Sequence, residues 1–320
     1  MTGQAPRPAP DGLDGLRPPV FAIAYRMLGS VGEAEDVVQE TLLRVHLAGE
    51  RGERIEFPRA YAAKVATRLA IDRLRSARAR RETYVGEWLP EPLLTDPPPA
   101  GDPVRQAEIA DSLSLAFLVL LESLSPEQRA VLLLRDVFDY GYDEIAGVIG
   151  TSEANARQLA VRARRHVEER RPRFEVSRER RDELARRFFA AAQEGDLGGL
   201  EALLADDVVL RGDGGGKVPA LARSVYGRAR VARTLIAWGR VGSRTGGVTL
   251  RPTEVNGQPG AVLVDGDGRA FGVIGLEIAG GRVQGISSIV NPDKLGHLGR
   301  PVGSLRDVLD RSRGAGDPGR

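Results

Sequence analysis

The sequence predicts a multidomain fold in which two all-α modules are followed by an α+β domain with an antiparallel sheet. The all-α modules are predicted because apolar residues recur at helical spacing within residues 11–82 and 104–173. Between them, residues 83–103 are rich in proline and acidic residues, which is typical of a linker. The α+β domain, at 180–295, is predicted because two helical segments precede segments in which apolar residues alternate.

The order of elements in the α+β domain follows from its turn signals. Helices are expected at 182–195 and 197–205, and strands in VTLRPTEV, AVLVDGDGRAFGVIGLEIAG and RVQGISSIV. Asn-Gly, Asp-Gly and Gly-Gly pairs at 256–257, 265–268 and 280–281 separate the strands, so we expect an antiparallel meander. The Gly- and Arg-rich residues 296–320 are expected to form a flexible tail.

The composition excludes several kinds of chemistry. The chain has no cysteine, which rules out disulfides, iron–sulfur clusters and thiol nucleophiles. Its three histidines, His46, His166 and His297, are far apart in sequence, so neither a metal cluster nor a serine triad is expected. There is no apolar run of about 18 residues, and the N-terminus lacks the basic and apolar stretches of a signal peptide. We therefore expect a cytoplasmic protein without a metal or cofactor.

Charge is distributed unevenly along the chain. Residues 59–82 hold eight basic and two acidic residues, and residues 157–173 hold seven basic and two acidic residues. Residues 83–127, between them, hold eight acidic residues and one basic residue. Two cationic helices with an acidic spacer predict two contacts on one polyanion. The alternative is that the arginines only line solvated helix faces.

The segment Glu33–Leu47 has two faces at helical spacing. One face is apolar, and the other carries an acid–amide–acid cluster beside a leucine, which is a plausible docking surface for a basic protein partner. Ordinary surface polarity is the alternative. The apolar face holds Val37, Val38, Thr41, Leu42 and Val45, and the opposite face holds Asp36, Gln39, Glu40 and Leu43.

A second helix is expected to start at Pro58. Its apolar stripe is predicted to be Ala62, Val65, Ala66 and Leu69, and its cations Lys64, Arg68 and Arg75 lie opposite. Aromatic residues stand at its entry, Phe57 and Tyr61. Cations beside aromatic rings suit an unpaired nucleic-acid strand, because cations hold phosphates and rings stack on bases. For the two aromatic residues, packing in the core is the alternative.

Residues 125–170 have the pattern of a helix-turn-helix. Ser125 and Gln128 fit a helix start, Tyr142–Ile149 forms a short helix, and Gly150-Thr151 is a tight turn before the N-cap Ser152. The following helix has a narrow apolar stripe opposite an amide-and-arginine face of the kind that reads base edges. The stripe is Ala156, Ala160, Ala163 and Val167; the opposite face is Asn155, Gln158, Arg162 and Arg165, flanked by Arg157 and Arg164.

These segments resemble regions 2 and 4 of the extracytoplasmic-function (ECF) sigma factors of bacterial RNA polymerase. The matching strings are DVVQETLLRVH (36–46), FPRAYAAKVATRLAIDRLRSARARR (57–81) and SPEQRAVLLLRDVFDYGYDEIAGVIGTSEANARQLAVRARRHVEE (125–169). Three further strings resemble the group with a fused C-terminal SnoaL-like domain: WLPEPL (88–93), DGGGK (213–217) and NPDKL (291–295).

The resemblance implies a region 2 helical bundle, a region 4 helix-turn-helix and a SnoaL-like α+β cone. It further implies a sigma factor, not an enzyme, that directs RNA polymerase core to specific promoters and is regulated by its own C-terminal domain. The expected partners are the β′ clamp and β flap of the core and promoter DNA, and a small-molecule ligand in the C-terminal domain is a further candidate. Leu159 departs from the basic residue that many family members carry in the recognition helix, which affects the expected promoter sequence.

The resemblance assigns roles to matching positions. Core polymerase would bind Asp36, Gln39, Glu40 and Leu43. The minus-ten strand would bind Phe57, Arg59, Tyr61, Lys64, Arg68 and Arg75. The minus-thirty-five element would bind Asn155, Arg157, Gln158, Arg162 and Arg165. Interdomain and regulatory contacts would involve Trp88, Leu89, Pro90, Asp213, Gly214, Gly215, Gly216, Lys217, Asn291, Pro292, Asp293, Lys294 and Leu295.

Two other interpretations of the C-terminal domain are weaker. Residues 211–218 do not fit a phosphate-binding loop, because Arg211 and Val218 replace required residues. A cyclase would need acid–base groups, for which Asp207 and Asp213 are candidates, but no histidine lies among the strands. We expect instead that the glycine run lets the backbone approach another surface, with Asp213 and Lys217 in polar contact there and holding regions 2 and 4. A one-component DNA-binding regulator or cyclase-like enzyme is the alternative function class.

Overall fold

The computed structural model describes residues 13–82, 84–95, 110–168, 177–244 and 248–298. They form two compact units, one drawn from residues 1–82 and 120–170 and the other from 83–119 and 171–320. The linker therefore belongs to the same unit as the C-terminal domain. None of the helices in these ranges has an apolar stretch long enough to span a bilayer. The predicted tail lies outside the described residues from position 299 onward.

The first unit begins with three mutually packed helices, in which Tyr25, Met27 and Leu28 are among the largest fully buried side chains. Gly29, with φ of 66°, ends the first helix, and the Ser30 side chain caps the second by accepting the Glu33 N–H. The helices are α1 (Arg17–Leu28), α2 (Val31–Glu50) and α3 (Pro58–Glu82).

The apolar stripe predicted for α3 is displaced by about one residue. Val65 and Leu69 are only half-buried. The reason is that α3 contacts four helices of its unit, which bury small residues over a wide face. The buried set is Ala62, Ala63, Ala66, Thr67, Ala70, Ile71 and Leu74.

The helix-turn-helix is confirmed. Ser125 and Gln128 form a capping box, and Gly150, with φ of 73°, ends the short helix in the left-handed conformation. A core of Val131, Leu134 and Ile145 packs against the alanine stripe of the last helix. After α4 (Leu115–Leu121), the helices are α5 (Pro126–Asp136), α6 (Tyr142–Ile149) and α7 (Glu153–Glu168).

The C-terminal domain is an α+β fold with a six-stranded sheet in the order β2-β1-β6-β5-β4-β3. Strands β3 to β6 form the predicted antiparallel meander, but β1 pairs with β6 in parallel, so the sheet is mixed. The elements are α8 (Arg178–Glu194), α9 (Leu197–Leu203), β1 (Leu204–Asp213), β2 (Val225–Tyr226), α10 (Arg228–Arg244), β3 (Thr249–Val255), β4 (Gln258–Val264), β5 (Ala270–Ala279) and β6 (Arg282–Ile289).

The two faces of the sheet are covered differently. Helices α8 to α10 pack on one face through a large apolar cluster that includes Phe188, Leu235 and Ile286. The other face receives Leu89 of the linker and Leu115 of α4, which join a cluster with Val255, Val273, Ile289 and Leu295. Residues 84–95, the described part of the linker, are thus part of the folded C-terminal unit.

The hairpin turns have the predicted chemistry. Asn256 and Gly257 have φ of 53° and 72°, as a two-residue turn with left-handed positions requires. In the β4–β5 turn, Asp265 accepts the N–H groups of Asp267 and Arg269. No cluster of three or more His, Asp or Glu ligands occurs in the part of the chain that the structure describes.

Candidate protein and nucleic-acid interfaces

An open groove of about 440 Å³ lies on α2 and α3. The structure brings Asp36, Gln39, Glu40 and Leu43 together there, as the sequence predicts. Leu43 is 50% exposed although it is a large apolar side chain. The sequence missed two further lining residues, which lie four positions apart and so share one side of α3: Leu69 and Arg73.

Arg73 fixes the acidic side of this groove. Its guanidinium donates to the Asp36 carboxylate at 3.2 Å and to the Glu33 carbonyl at 3.1 Å. Arg44 binds Glu40 at 2.7 Å one turn further along α2. The groove thus combines an apolar floor with carboxylates that are held in place, which suits a partner that offers both apolar and basic groups.

The entry to α3 exposes an aromatic residue beside cations. Phe57 is 68% exposed, so core packing is the wrong interpretation for this ring. Tyr61 and Lys64 are half-buried, whereas Arg59 is exposed. The roles of these four residues in strand binding stay predictions.

Two cations predicted to bind the promoter strand contact the helix-turn-helix instead. Arg68 donates to the carbonyls of Val148 and Gly147 at 2.8 and 3.0 Å, at the C-terminal end of α6. The helix dipole makes these carbonyls a favourable site for a cation. Arg75 pairs with Glu127 at 2.8 Å. In this structure, both guanidinium groups bind the second helical module.

A buried arginine also joins the two helical modules. Arg129 on α5 donates to the carbonyl of Met27 at 2.6 Å and to that of Leu121 at 3.0 Å, and it pairs with Glu122 at 2.8 Å. Burial lowers the pKa of Arg129 to about 9. Arg26 on α1 is also buried, with its guanidinium 5.7 Å from the ring centroid of Phe138.

The outer face of α7 exposes all five residues predicted to contact the minus-thirty-five element, while the alanine stripe is buried. Local hydrogen bonds and ion pairs hold two of these side chains in the helical unit. Asn155 donates to the Thr151 hydroxyl at 2.7 Å, and Arg157 pairs with Glu153 at 2.5 Å. The DNA roles of Asn155, Arg157, Gln158, Arg162 and Arg165 stay predictions.

A buried ion pair anchors the linker on the C-terminal domain. The Asp213 carboxylate accepts from the Leu89 N–H at 2.8 Å, from the Tyr84 hydroxyl at 2.6 Å and from Lys294 Nζ at 2.7 Å. Lys294 also donates to the Leu89 carbonyl and lies 4.3 Å from the Trp88 ring centroid. Burial and the bond to Asp213 raise the pKa of Tyr84 above its ordinary value.

The motif residues therefore hold the described part of the linker, whereas the expected hold of Asp213 and Lys217 on regions 2 and 4 stays a prediction. The Asp213 side chain is fully buried among groups of its own unit. The glycine run does approach another surface closely. A Cβ on Gly215, whose φ is 60°, would lie 2.3 Å from Asn291 Nδ2, and one on Gly216 would lie 2.9 Å from Val85 Cβ. Lys217 forms an exposed ion pair with Asp293.

The sequence missed a second anchor, Asn256. Its backbone N–H and its side-chain Oδ1 bind the carbonyl and the N–H of Leu93, each at 2.8 Å. Its Nδ2 also donates to the Leu113 carbonyl at 3.0 Å. The Asn-Gly pair indicated a turn, but nothing local in the sequence indicated that the asparagine binds Leu93 of the linker, 163 positions away.

A cavity of about 20 Å³ lies between the start of α4 and the sheet, lined by Ser114, Gln258, Glu277 and Ser287 among others. This volume suits a single water molecule and is too small for a metabolite. On the helix-covered face, the apolar cluster fills the interior. A small-molecule ligand therefore stays a prediction without support from the geometry.

Replacing Glu277 with glutamine is expected to raise the thermal stability at neutral pH. Burial raises the pKa of Glu277, although Arg211 opposes this in part. A carboxyl group whose pKa is higher in the folded state costs stability as pH rises above its ordinary pKa of about 4.3. We expect Tm to rise by a few degrees at pH 7, with about 1 kcal/mol shifting Tm by about 2–4 °C, and to be unchanged near pH 4. Calorimetry on the full chain, with the exposed Glu194→Gln as control, measures this; an equal gain at both pH values would contradict it.

Comparison with known proteins assigns the chain to a family. Sigma-70 region 2 matches residues 14–80, Sigma-70 region 4 matches 114–167, and a SnoaL-like domain matches 185–289. The fold and these matches thus define a transcription initiation factor. The chain belongs to the ECF RNA polymerase sigma factors. This family consists of sigma factors and not enzymes, and its members bind RNA polymerase core and promoter DNA.

The relatives cover nearly the whole chain. The ECF RNA polymerase sigma factor SigJ of Mycobacterium tuberculosis is 38% identical over 92% of this chain and 94% of its own length. The probable ECF sigma factor SigI of the same organism is 32% identical over 88% of this chain and 92% of its own. The crystal structure of SigJ superposes with a TM-score of 0.72 at 36% identity, covering 92% of this chain and 99% of SigJ.

Proposed function

We propose that the groove on α2 and α3 is the surface by which this sigma factor binds core polymerase. The observation that carries this proposal is the exposed Leu43 between Glu40 and Leu69 in a groove with a carboxylate rim. An apolar anchor surrounded by polar residues is typical of an interface hot spot. The basic surface of the β′ clamp is the partner whose chemistry fits.

Replacing Leu43 with aspartate is expected to weaken core binding about ten- to thirty-fold, because the apolar anchor is lost and a charge is desolvated. Leu43 is half-exposed, so folding should be unaffected. Titration of labelled chain with core polymerase measures the Kd. Leu197→Asp, at an exposed leucine of the other unit, is the control. Equal Kd values for the wild type and both variants would contradict this assignment.

Promoter DNA is proposed to contact both helical modules. The exposed Phe57 and Arg59 would take the minus-ten strand, together with Arg68 and Arg75 once these leave α6 and Glu127. The outer face of α7 would enter the major groove at the minus-thirty-five element. In this proposal, the contact between the two modules must loosen before both can bind DNA.

We also propose that the C-terminal domain regulates regions 2 and 4 through the linker that connects these two regions. What supports this is the Asp213–Lys294 pair, which binds both the N–H and the carbonyl of Leu89. Because residues 84–95 are held on the sheet, fewer linker residues are free to extend, and this limits how far regions 2 and 4 can separate. Run-off transcription by core polymerase, with the pair intact or broken, tests this role: an unchanged transcript yield would contradict it.

A further inference from the structure

The middle of the outer face of α7 contains an exposed valine. On a helix, residues spaced four, three and four positions apart lie along one side. In α7 such a line begins at Ala154 and lies opposite the buried stripe Ala156, Ala160 and Ala163. Val161 on this line is 63% exposed. The line as a whole is Ala154, Gln158, Val161 and Arg165.

Residues that flank this line are bonded within the helical unit. Asn155 and Arg157 bind Thr151 and Glu153, and the Arg157 guanidinium lies 4.5 Å from the centroid of the Tyr142 ring. On the side nearer the core, Arg164 forms a short ion pair with Asp136. The centre of the face is therefore left to Gln158, Val161 and Arg162.

Leu159, where the sequence departs from a basic residue, does not compete for this role. It is half-buried and packs against the core of the helix-turn-helix. Its position makes it a structural residue, so the large apolar side chain that α7 offers to a groove is Val161.

A valine side chain has one complementary group in the major groove. Base edges there carry hydrogen-bond donors and acceptors, which valine would leave unsatisfied, whereas thymine carries a C5 methyl group. We infer that Val161 is a specificity-determining residue that packs against a thymine methyl of the minus-thirty-five element. This inference rests on the proposed function of α7 as the reader of that element.

The expected contact of Gln158 with a base indicates where the thymine should lie in the promoter. Gln158 and Val161 are separated by about 4.5 Å along the helix axis, close to the spacing of about 3.4 Å between successive bases. A glutamine amide pairs with adenine through two hydrogen bonds. The promoter should therefore contain an adenine that contacts Gln158 and a thymine methyl on the same or the adjacent base pair facing Val161.

Deoxyuridine substitution tests this directly, because it removes the methyl group and leaves base pairing intact. Promoters are first selected from a duplex library with a randomised minus-thirty-five element, using holoenzyme made from the full chain and core polymerase. Each thymine is then replaced by deoxyuridine, and run-off transcription is compared for the wild type, Val161→Ser and Val161→Thr. Both variants introduce a hydroxyl, but only threonine keeps a methyl. Helical content and Tm confirm that both fold.

For the wild type, we expect one deoxyuridine position to reduce transcription about four-fold, since burying a methyl contributes about 0.8 kcal/mol. This sensitivity should disappear in Val161→Ser and persist largely in Val161→Thr. If Val161→Ser keeps the full sensitivity, or no position is sensitive, the inference is wrong while minus-thirty-five recognition stands. If selection yields no preferred minus-thirty-five sequence, both the inference and the proposed role of α7 are wrong.

Discussion

Replacing Lys294 with methionine is expected to destabilise the C-terminal unit by about 3–5 kcal/mol, because it leaves a buried carboxylate without its counter-ion. Asp213 is fully buried, and the Lys294 side chain is only 7% exposed. The Tyr84 hydroxyl and the Leu89 N–H would remain as donors to the carboxylate, but neither carries a charge. Denaturant unfolding of the full chain, followed by tryptophan fluorescence of Trp88 and Trp238, measures the loss.

The matched control is Lys217→Met in the neighbouring motif. Lys217 and Asp293 form an ion pair whose side chains are 54% and 60% exposed, and such pairs contribute about 0–1 kcal/mol. Combining Lys294→Met with Asp213→Asn should cost less than the sum of the two single changes, because no unpaired charge is left buried. If Lys294→Met is no more destabilising than Lys217→Met, the ion pair does not anchor the linker.

The same variant separates a regulatory role from a structural one. Breaking the pair removes the donor to the Leu89 carbonyl, so the linker should become accessible to protease near Trp88. If the domain regulates through the linker, run-off transcription changes for Lys294→Met and not for Lys217→Met. A protected linker together with altered transcription would contradict this mechanism.

Much of the fold follows from local sequence signals. Ser125 with Gln128 and the left-handed Gly150 set helix ends, and Asn256-Gly257 sets a hairpin. Each of these acts within a few residues, so its physical consequence is visible in the sequence. By contrast, β1 pairs in parallel with β6, and α10 and four strands lie between them in sequence. That pairing depends on how distant elements pack, which no local pattern encodes.

The candidate sites show the same limit. The two faces of α2 and α7 were predictable because helical periodicity separates buried from exposed positions. The partner of Asp213 was not, because the sequence offers Lys217 four residues away, whereas the structure uses Lys294, 81 positions away. Leu69 was assigned to the core although it lies in the groove, since an apolar residue at the edge of a stripe fits either place.

Replacing Arg129 with methionine is expected to destabilise the helical unit by about 2–5 kcal/mol. The variant keeps a long side chain but removes the donors to the buried carbonyls of Met27 and Leu121, and each unsatisfied group costs about 1–3 kcal/mol. The control is Arg135→Met on the same helix, where the side chain is 36% exposed. Full-chain calorimetry provides the comparison, and equal Tm values for the two variants would show that Arg129 does not hold the modules together.

The electrostatics of the junction, meaning the contact between regions 2 and 4 at Arg129, Arg68 and Arg75, explain why the two modules can both pack together and separate. Burial lowers the pKa of Arg129 to about 9, so below that pH the guanidinium is charged in both states and its desolvation cost is constant. The hydrogen bonds of Arg129 must offset that desolvation cost, so the net contribution of the charged side chain to folding stability is small. Arg68 binds two carbonyls and Arg75 binds the carboxylates of Glu127 and Asp72, and the phosphates of an open promoter strand would compete for the same guanidinium groups.

This competition gives Arg129→Met a second, functional readout. Since the variant weakens the junction between regions 2 and 4, fluorescent probes on Arg59 and Glu153 should report a larger mean separation in the free chain. Binding of a single-stranded minus-ten oligonucleotide should then become tighter. Less of the binding free energy is needed to release Arg68 and Arg75 from their contacts with region 4. If the separation increases and oligonucleotide affinity does not, the contacts between regions 2 and 4 do not keep Arg68 and Arg75 from binding DNA.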